Sequence, residues 1–339
     1  MQKSNFAKFS IIILNYNGKE FLERCLSSVL NTNYPNFEVI LVDNASTDGS
    51  VEFVKKNFPS VKVIANKVNL HFTGGNNIGI KAARGEYIVL LNNDTEVHPN
   101  WLSEIVKVME IDPSVGLCQC KLLFMDNREE IDSTGGFINY LGLCEERGKG
   151  EIDKHQYDQI DEIFHAKGAA LVVKREVLNE VGLFDSFFYY NYEDVDLCWR
   201  ARLRGYKVVF CPKAIVYHHR SSPTKKKFQL KSEGMFHSAK NVIRMIIKNY
   251  ALINLIFVLP VLILIEISAA VLLPIKGQKD YSKAIVKAML WNIRNIKSTL
   301  EERRKIQLMR RMSDKDIKRA MKRVLKLDLK RPEFTSATC

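Results

Sequence analysis

Residues 86–97, EYIVLLNNDTEV, run apolar from Tyr87 to Leu91 and then turn polar at Asn92, Asn93 and Asp94. A carboxylate at the end of a buried strand is costly without a partner, although Asn, Asp and Thr also make turns by bonding their own backbone. Three other apolar runs end the same way. FSIIIL (9–14) stops at Asn15-Tyr16-Asn17, FEVILVD (37–43) at Asp43-Asn44, and VKVIAN (61–66) in the stretch from Asn66 to Asn69. Carboxylates and carboxamides gathered at four strand ends suit the binding of a polar ligand better than four unrelated turns. The segment GGNNIGIKAA (74–83) opens with Gly74, Gly75 and Asn76, and a helix start of this kind can present backbone amides to a phosphate. Later, FYYNYEDVDLCWRARLRGY (188–206) places Glu193, Asp194 and Asp196 in the first turn of a helix. The helix dipole favours acidic residues there, but three carboxylates so close repel each other unless they are used.

The elements that must position these residues alternate. Apolar strands at 9–14, 37–43, 61–66 and 87–92 are separated by helical spacings at 19–32, 49–58 and 74–83, a pattern of parallel sheet covered on both faces. In such sheets the ligand crevice lies beyond the carboxyl ends of the strands, where the polar clusters fall. Residues 120–165, with Gly135-Gly136 and a charged run, read as irregular loops beside the crevice. A strand is expected over 165–177, then the acidic helix, then two strands, 206–210 and 214–219, the second ending in His218 and His219.

Charge divides the chain. Residues 1–219 carry 24 Lys and Arg against 29 Asp and Glu, residues 220–250 carry 8 against 1, and residues 276–339 carry 19 against 7. Between the basic segments lies ALINLIFVLPVLILIEISAAVLLPI (251–275), whose only charge is Glu266. The expected organisation is a domain at 1–220, a basic linker or helix at 221–250, a hydrophobic membrane segment at 251–275 and a basic amphipathic tail at 276–339. The seven cysteines show no zinc spacing and sit mostly in apolar runs, so reduced thiols in a cytosolic compartment are expected. The first fourteen residues carry no secretory signal. The net charge of +13 does not point to nucleic acid, because the excess sits on the greasy tail and the domain itself is acidic.

In order along the chain, SIIILNYNG (10–18), VDNASTDGS (42–50), FTGGNNIGI (72–80), LLNNDTEV (90–97), GLFDSFFYYNYEDVDLCWRARLRGY (182–206) and VYHH (216–219) resemble the motifs of the family 2 nucleotide-sugar glycosyltransferases. Rhamnosyltransferase-like and galactofuranosyltransferase-like members are the most similar in motif. The resemblance implies a GT-A fold: an α/β, Rossmann-like, mostly parallel sheet with helices on both faces. It implies inverting transfer of one sugar, rhamnose or similar, from a dTDP- or UDP-sugar to a hydroxyl of a glycan or lipid-linked acceptor. The implied nucleotide-sugar contacts are Asn15, Asn17, Asp43, Asn69, Gly75, Asn76, Asn93 and Asp94, with Asp43 on the base. Asp94 matches the last Asp of the family's DxD motif, with His218 as a second ligand to Mn²⁺ or Mg²⁺. Asn92 replaces the first Asp, which leaves one carboxylate for the ion and makes a nucleotide-sugar-binding module without turnover the alternative. Asp194 matches the general base of the family's Glu-Asp pair with Glu193 beside it, and Asp196 and Trp199 fall on the acceptor side. His71 stands where relatives often have Gly, and His tolerates a left-handed backbone better than most residues. No QxxRW motif follows the last strand, so single addition is expected rather than processive synthesis.

Residues 251–275 are long enough to span a hydrocarbon core of ~30 Å. Pro260 divides them into pieces too short to span alone, and both flanks are basic, which favours the cytoplasmic side. The expectation is a re-entrant or interfacial hairpin at the cytoplasmic face of the cell membrane. YSKAIVKAMLWNIRNIK (281–297) then lies on anionic lipid as an amphipathic helix.

Overall fold

The structure, a computed structural model, describes residues 7–220 and 227–322. The first six residues, the start of the basic linker and the basic stretch beyond 322, Cys339 included, lie outside the described residues.

The chain runs β1 (Phe9–Asn15), α1 (Lys19–Leu30), β2 (Phe37–Asp43), α2 (Ser50–Asn57), β3 (Lys62–Ala65), α3 (His71–Ala82) and β4 (Tyr87–Asn92). A short β5 (Thr95–Val97), α4 (Trp101–Met109) and the long β6 (Val115–Phe124) follow. The middle holds β7 (Ile131–Ser133), β8 (Gly136–Ile138), β9 (Cys144–Glu146) and β10 (Asp161–Glu162). Then come β11 (Ala170–Lys174), α5 (Arg175–Val181), α6 (Glu193–Arg204) and β12 (Lys207–His218). Five helices close the described chain: α7 (Lys227–Asn249), α8 (Leu252–Ile275), α9 (Lys279–Arg294), α10 (Ile296–Met309) and α11 (Asp314–Arg319).

The sheet order is β10-β12-β6-β11-β4-β1-β2-β3, with β5 on β12 and β7 on β6. β3, β2, β1 and β4 are parallel, and β11 enters antiparallel between β4 and β6. Period-two alternation sends successive residues of β1 to opposite faces. Ile11 and Ile13 pack with Leu22, Leu26, Trp101 and Ile105 of α1 and α4, whereas Ile12 packs with Ile80, Val177 and Leu197 of α3, α5 and α6. The register brings the polar ends together: Asn15 lies opposite Asp43, and Leu14 opposite Asn92.

Several elements differ from expectation. The two late strands are one, β12, whose register against β6 shifts between Cys211 and Ile215; Pro212 in that interval has no amide to donate, which suits a bulge. The strand expected over 165–177 is the shorter β11 followed directly by α5. The middle is not all loop, since β6 and β7 extend the main sheet and β8 pairs with β9. The apolar segment is not a hairpin: α8 is one continuous helix of 24 residues with Pro260 inside it. A proline removes one i→i−4 bond and strains the turn before it, but here it does not divide the helix.

The basic C-terminal half is not a detached tail. Val195, Trp199 and Leu203 of α6 share a core with Val242 and Ile246 of α7, Tyr250 just after it, Leu262 of α8, Ile306 of α10 and Ile317 of α11.

Candidate active site

At the ends of β1 and β2 a compact hydrogen-bonded network forms. Asn15 is fully buried; its Nδ2 donates to Asp43 Oδ1 at 2.9 Å, and its Oδ1 accepts from Asn93 Nδ2 at 2.7 Å. Asp43 is buried and also accepts from the Ser46 amide at 2.8 Å and the Ser46 hydroxyl at 2.6 Å. Asn17, in a left-handed conformation, gives its amide to Ser46 Oγ at 2.8 Å and accepts from the Thr47 amide at 2.7 Å. Both oxygens of Asp43 are therefore engaged inside the protein. They hold the turn after β2 against β1, as an Asx turn does.

The glycine-rich segment behaves differently from the sequence expectation. α3 begins at His71, three residues before the expected start, with His71 at φ +56°. The amide of Gly75 consequently falls inside the helical ladder. A Cβ at Gly75 would lie 2.3 Å from Leu14 Cδ1, so its glycine is required by the close approach of α3 to β1. Asn76 is buried and turns its Nδ2 back to the Phe72 carbonyl at 3.0 Å. Asn69 accepts from the His71 amide at 2.8 Å, and Tyr189 O accepts from the Thr73 amide at 3.1 Å. Two first-turn amides are thus already bonded, and Asn69, Gly75 and Asn76 organise the helix start.

Asp94 sits in the two-residue turn between β4 and β5. β5 pairs with β12 so that Thr95 lies opposite His218, and the His219 amide donates to the Asp94 carbonyl at 2.9 Å. His218 Nε2 comes within 3.3 Å of Asp94 Oδ1, and Asn92 Nδ2 lies 3.4 Å from the same nitrogen. On the other side of the ring, Nδ1 is 2.9 Å from Asp132 Oδ2, and Lys167 Nζ is 3.1 Å from both Asp132 oxygens. Burial pushes the imidazole pKa down, but the bonds to Asp132 and Asp94 outweigh it and raise the pKa to about 9. Apart from that 3.3 Å approach of His218 Nε2, Asp94 Oδ1 is buried without a hydrogen-bond partner.

Those features fit a divalent cation. An orphaned carboxylate oxygen faces an imidazole whose far nitrogen is held by a carboxylate, as the outer partners of metal-bound histidines are. Among the described residues no group of three or more such side chains gathers, so a cation there would draw its remaining ligands from phosphate and water.

Glu193 and Asp194 open α6. The three residues before it that are not glycine and have positive φ, Tyr189 (63°), Asn191 (65°) and Tyr192 (69°), form a strained approach. α7 holds it: Asn241 Nδ2 lies 3.0 Å from Phe188 O, 2.9 Å from Tyr190 O and 2.6 Å from Asn191 O. Asp194 accepts from the Gly168 amide and from the Val195 amide, both at 2.8 Å. Glu193 Oε2 is buried without a partner. Burial raises both carboxyls, and the neighbouring Asp194 charge adds to the rise at Glu193. The two amide bonds favour the charged form of Asp194, whereas burial and the Asp194 charge hold Glu193 above its ordinary value.

Residues 167–169 join the two halves. Lys167 braces Asp132 behind His218, Gly168 bonds Asp194, and Ala169 O accepts from the Asn92 amide at 3.0 Å. The sequence reading missed Asp132 and Lys167, because both lie far from the motifs and only the fold brings them together. It also placed Asp196 and Trp199 on the acceptor side, and the structure places both elsewhere. Asp196 is fully buried, bonded by Arg200 Nε at 2.8 Å, Lys248 Nζ at 3.0 Å and Asn249 Nδ2 at 2.9 Å. Trp199 is fully buried between Phe164 and Tyr250.

Comparison with known proteins identifies the family and the fold. The family model described as Glycosyl transferase family 2 matches residues 10–182. The O-antigen biosynthesis protein RfbC of Myxococcus xanthus is 29% identical over 223 residues, covering 63% of this chain and 17% of that protein. The amylovoran biosynthesis glycosyltransferase AmsB of Erwinia amylovora is 28% identical over 221 residues, covering 62% of this chain and 69% of AmsB. An uncharacterized Sinorhizobium fredii protein, y4gI, is 33% identical over 228 residues, 63% of this chain and 24% of that protein. The chain thus spans a quarter or less of the length of two of these relatives. Among solved structures, GalNAc-T7 with UDP, GalNAc and Mn2+ superposes with a TM-score of 0.57 at 20% identity, covering 72% of this chain and 48% of that one. The mannosyltransferase PcManGT from Pyrobaculum calidifontis, in complex with GDP-Man and Mn2+, gives 0.53 at 18% identity, covering 86% of this chain and 88% of that one. At these identities the likeness shows the fold, a Rossmann-like α/β sheet of the GT-A kind.

Proposed function

The chain belongs to glycosyl transferase family 2, and on that premise we propose that it moves one sugar, with inversion, from a dTDP- or UDP-sugar to a hydroxyl of a membrane-borne glycan or lipid-linked acceptor. Rhamnose or a similar sugar is the donor group favoured by the motifs. The likeness to RfbC, an O-antigen biosynthesis protein, and to AmsB, an amylovoran biosynthesis glycosyltransferase, supports a role in building a polysaccharide. The cytoplasmic face of the cell membrane is the setting, with anionic lipid as a further partner.

The observation that carries the reading is the joining of Asp94, His218 and the Glu193-Asp194 pair through residues 167–169. The donor diphosphate lies at Asn93, Asp94 and His218. Asp94 and His218 would hold a divalent ion, which supplies charge neutralisation for the leaving diphosphate. Tyr16, 53% exposed directly after Asn15, offers an aromatic face to the nucleotide base. Asp43 holds the loop beneath that base through Ser46. Asp194 takes the proton of the acceptor hydroxyl as that oxygen attacks the anomeric carbon, the geometry a general base requires. Burial and the Asp194 charge hold Glu193 above its ordinary value, while two amide bonds favour the charged form of Asp194.

The test is donor consumption by the full chain in detergent, with Asp194→Asn beside the wild type. Loss of turnover by a factor of about 10²–10⁴ with donor binding retained is expected. Equal turnover in the variant would remove Asp194 from the reaction. A wild type that binds donor and never consumes it would favour the binding module.

A further inference from the structure

α8 presents two unlike faces. On the inner one, Leu255, Leu259 and Ile263 pack against the core shared by α6 and α7, and Leu262 is fully buried. The outer one is bare. Ile253, Phe257, Val261, Leu264, Val271 and Ile275 are 48–79% exposed, and their spacing of three, four or seven residues keeps them on one stripe. The stripe runs the whole helix, which 24 residues at 1.5 Å each make about 36 Å long. Only 11% of the apolar window is buried, so this is not the core helix of a soluble bundle. An apolar surface of that extent marks an interaction site.

Two observations decide what covers it. The first is charge. At the C-terminal end the chain turns through Lys276 into α9, which returns alongside α8 with Ser282 Oγ bonded to Ala270 O at 2.6 Å. α9 exposes Lys279, Lys283 and Lys287 together with Leu290 and Ile293. At the N-terminal end a cavity of about 530 Å³ is lined by Tyr140, Asn254, Lys315, Lys318, Arg319 and Met321, with no carboxylate among them. Cations therefore stand at both ends of the stripe, the complement of an anionic lipid surface. The second is anchorage. The inner face of α8 lies on α7, and α7 is fixed to the catalytic half by Arg244 and Lys248 on Asp185 and by Lys248 on Asp196. Standing α8 upright across a bilayer would strip that inner face from its partners.

We infer that α8 is an in-plane docking helix: its outer stripe sinks along its full length into one leaflet, anionic headgroups sit at the basic groups of its two ends, and it does not cross the membrane. This deepens the membrane setting proposed above and is independent of the reaction assigned to Asp194.

The experiment uses the full chain bound to vesicles of phosphatidylcholine with phosphatidylglycerol. Spin labels at Ile253→Cys, Leu264→Cys and Ile275→Cys, each corrected for the unsubstituted protein, report depth by power saturation. Equal shallow depths for all three are expected. A central label deepest, with the outer two at opposite surfaces, would show a spanning helix and overturn the inference. In flotation, the variant carrying Phe257→Glu, Leu264→Glu and Val271→Glu is expected to lose binding at least tenfold while still consuming donor. The wild type is expected to bind pure phosphatidylcholine more weakly than the mixed vesicles. Unchanged binding by the variant, no preference for the anionic vesicles, or a soluble wild-type dimer that the variant breaks would each overturn it. Donor consumption absent with the depths equal would instead count against the reaction alone.

Discussion

Two polar clusters hold the molecule together, and they are built on opposite principles. At the strand ends, Asn15, Asn17, Asp43, Ser46 and Asn93 share short hydrogen bonds among mostly neutral groups. At the seam between the catalytic half and α7, Asp185 and Asp196 are wrapped by Arg200, Arg244, Lys248 and Asn249, all buried. In both clusters every carboxylate oxygen that is fully bonded serves the fold. Outside them, Asp94 and Glu193 each keep a buried oxygen without a hydrogen-bond partner, as Glu146 and Glu266 also do among the described residues, and the first two stand at the donor and acceptor ends of the proposed reaction. Saturation marks the acids of the two clusters as structural, but it does not single out the acids of the proposed reaction, since both oxygens of Asp194 accept amide bonds. Burial of an unpaired acceptor costs about 1–3 kcal/mol, a cost that a ligand or cation completing the bond would offset.

The comparison can be broken most forcefully at the seam. Asp196→Ala leaves Lys248 and Arg200 in a buried site with one fewer anion, and removing one partner of a buried ion pair costs about 3–5 kcal/mol. A denaturant melt should show that loss; a shift within experimental scatter would mean that Asp196 is not saturated by its partners as described. The same seam sets a pH dependence. Burial pushes Asp185 and Asp196 up, but Lys248 with Arg244 at the first and with Arg200 at the second outweighs it and holds both carboxyls below their ordinary range. Their contribution is therefore complete above the unfolded value of about 3.9 and is lost as the pH falls below it. Thermal melts between pH 7 and pH 3 should steepen below about 4 in the wild type and less so in Asp196→Ala.

At the donor end the comparison is sharpened by Asp132→Ala. His218 keeps its place in β12 but loses the carboxylate that orients its ring, and outer partners of metal-bound histidines are worth about 10–100-fold in metal affinity. Titration of Mn²⁺ in the presence of nucleotide should show that weakening, with folding retained. Unchanged affinity would return Asp132 to a structural role. The smallest effect is expected at Asn69→Ala. Loss of one side-chain hydrogen bond to the His71 amide costs about 1 kcal/mol, and nucleotide affinity should stay the same, because Asn69 bonds the α3 start. A large loss of nucleotide affinity would restore it as a ligand.

Much of this arrangement was legible before the fold was known. The first four strands, the polar strand ends and Asp94 follow from local alternation and an abrupt change in polarity. His71 takes the left-handed backbone its type permits. What was not legible depends on long-range partners. Asp196 and Trp199 sit one turn and two turns into the acidic helix, and only the docking of α7 buries them. Asp132 comes from the middle segment that lacks periodicity, and its meaning appears when β7 pairs with β6 beside β12. Gly75 looks like a phosphate-loop glycine in sequence, yet the position of Leu14 explains it. α4 shows the opposite case: Trp101, Leu102, Ile105, Val108 and Met109 carry helical spacing in plain view.

The most direct test of the central claim is a thermal-shift panel on the detergent-solubilised full chain with UDP, dTDP and GDP, each with Mn²⁺ or EDTA, on the wild type and Asp94→Ala. Stabilisation by a uracil or thymine nucleotide that requires Mn²⁺ and disappears in Asp94→Ala is the predicted result. No stabilisation of folded protein by any nucleotide, or stabilisation that Asp94→Ala leaves intact, would contradict the account of the orphaned carboxylate.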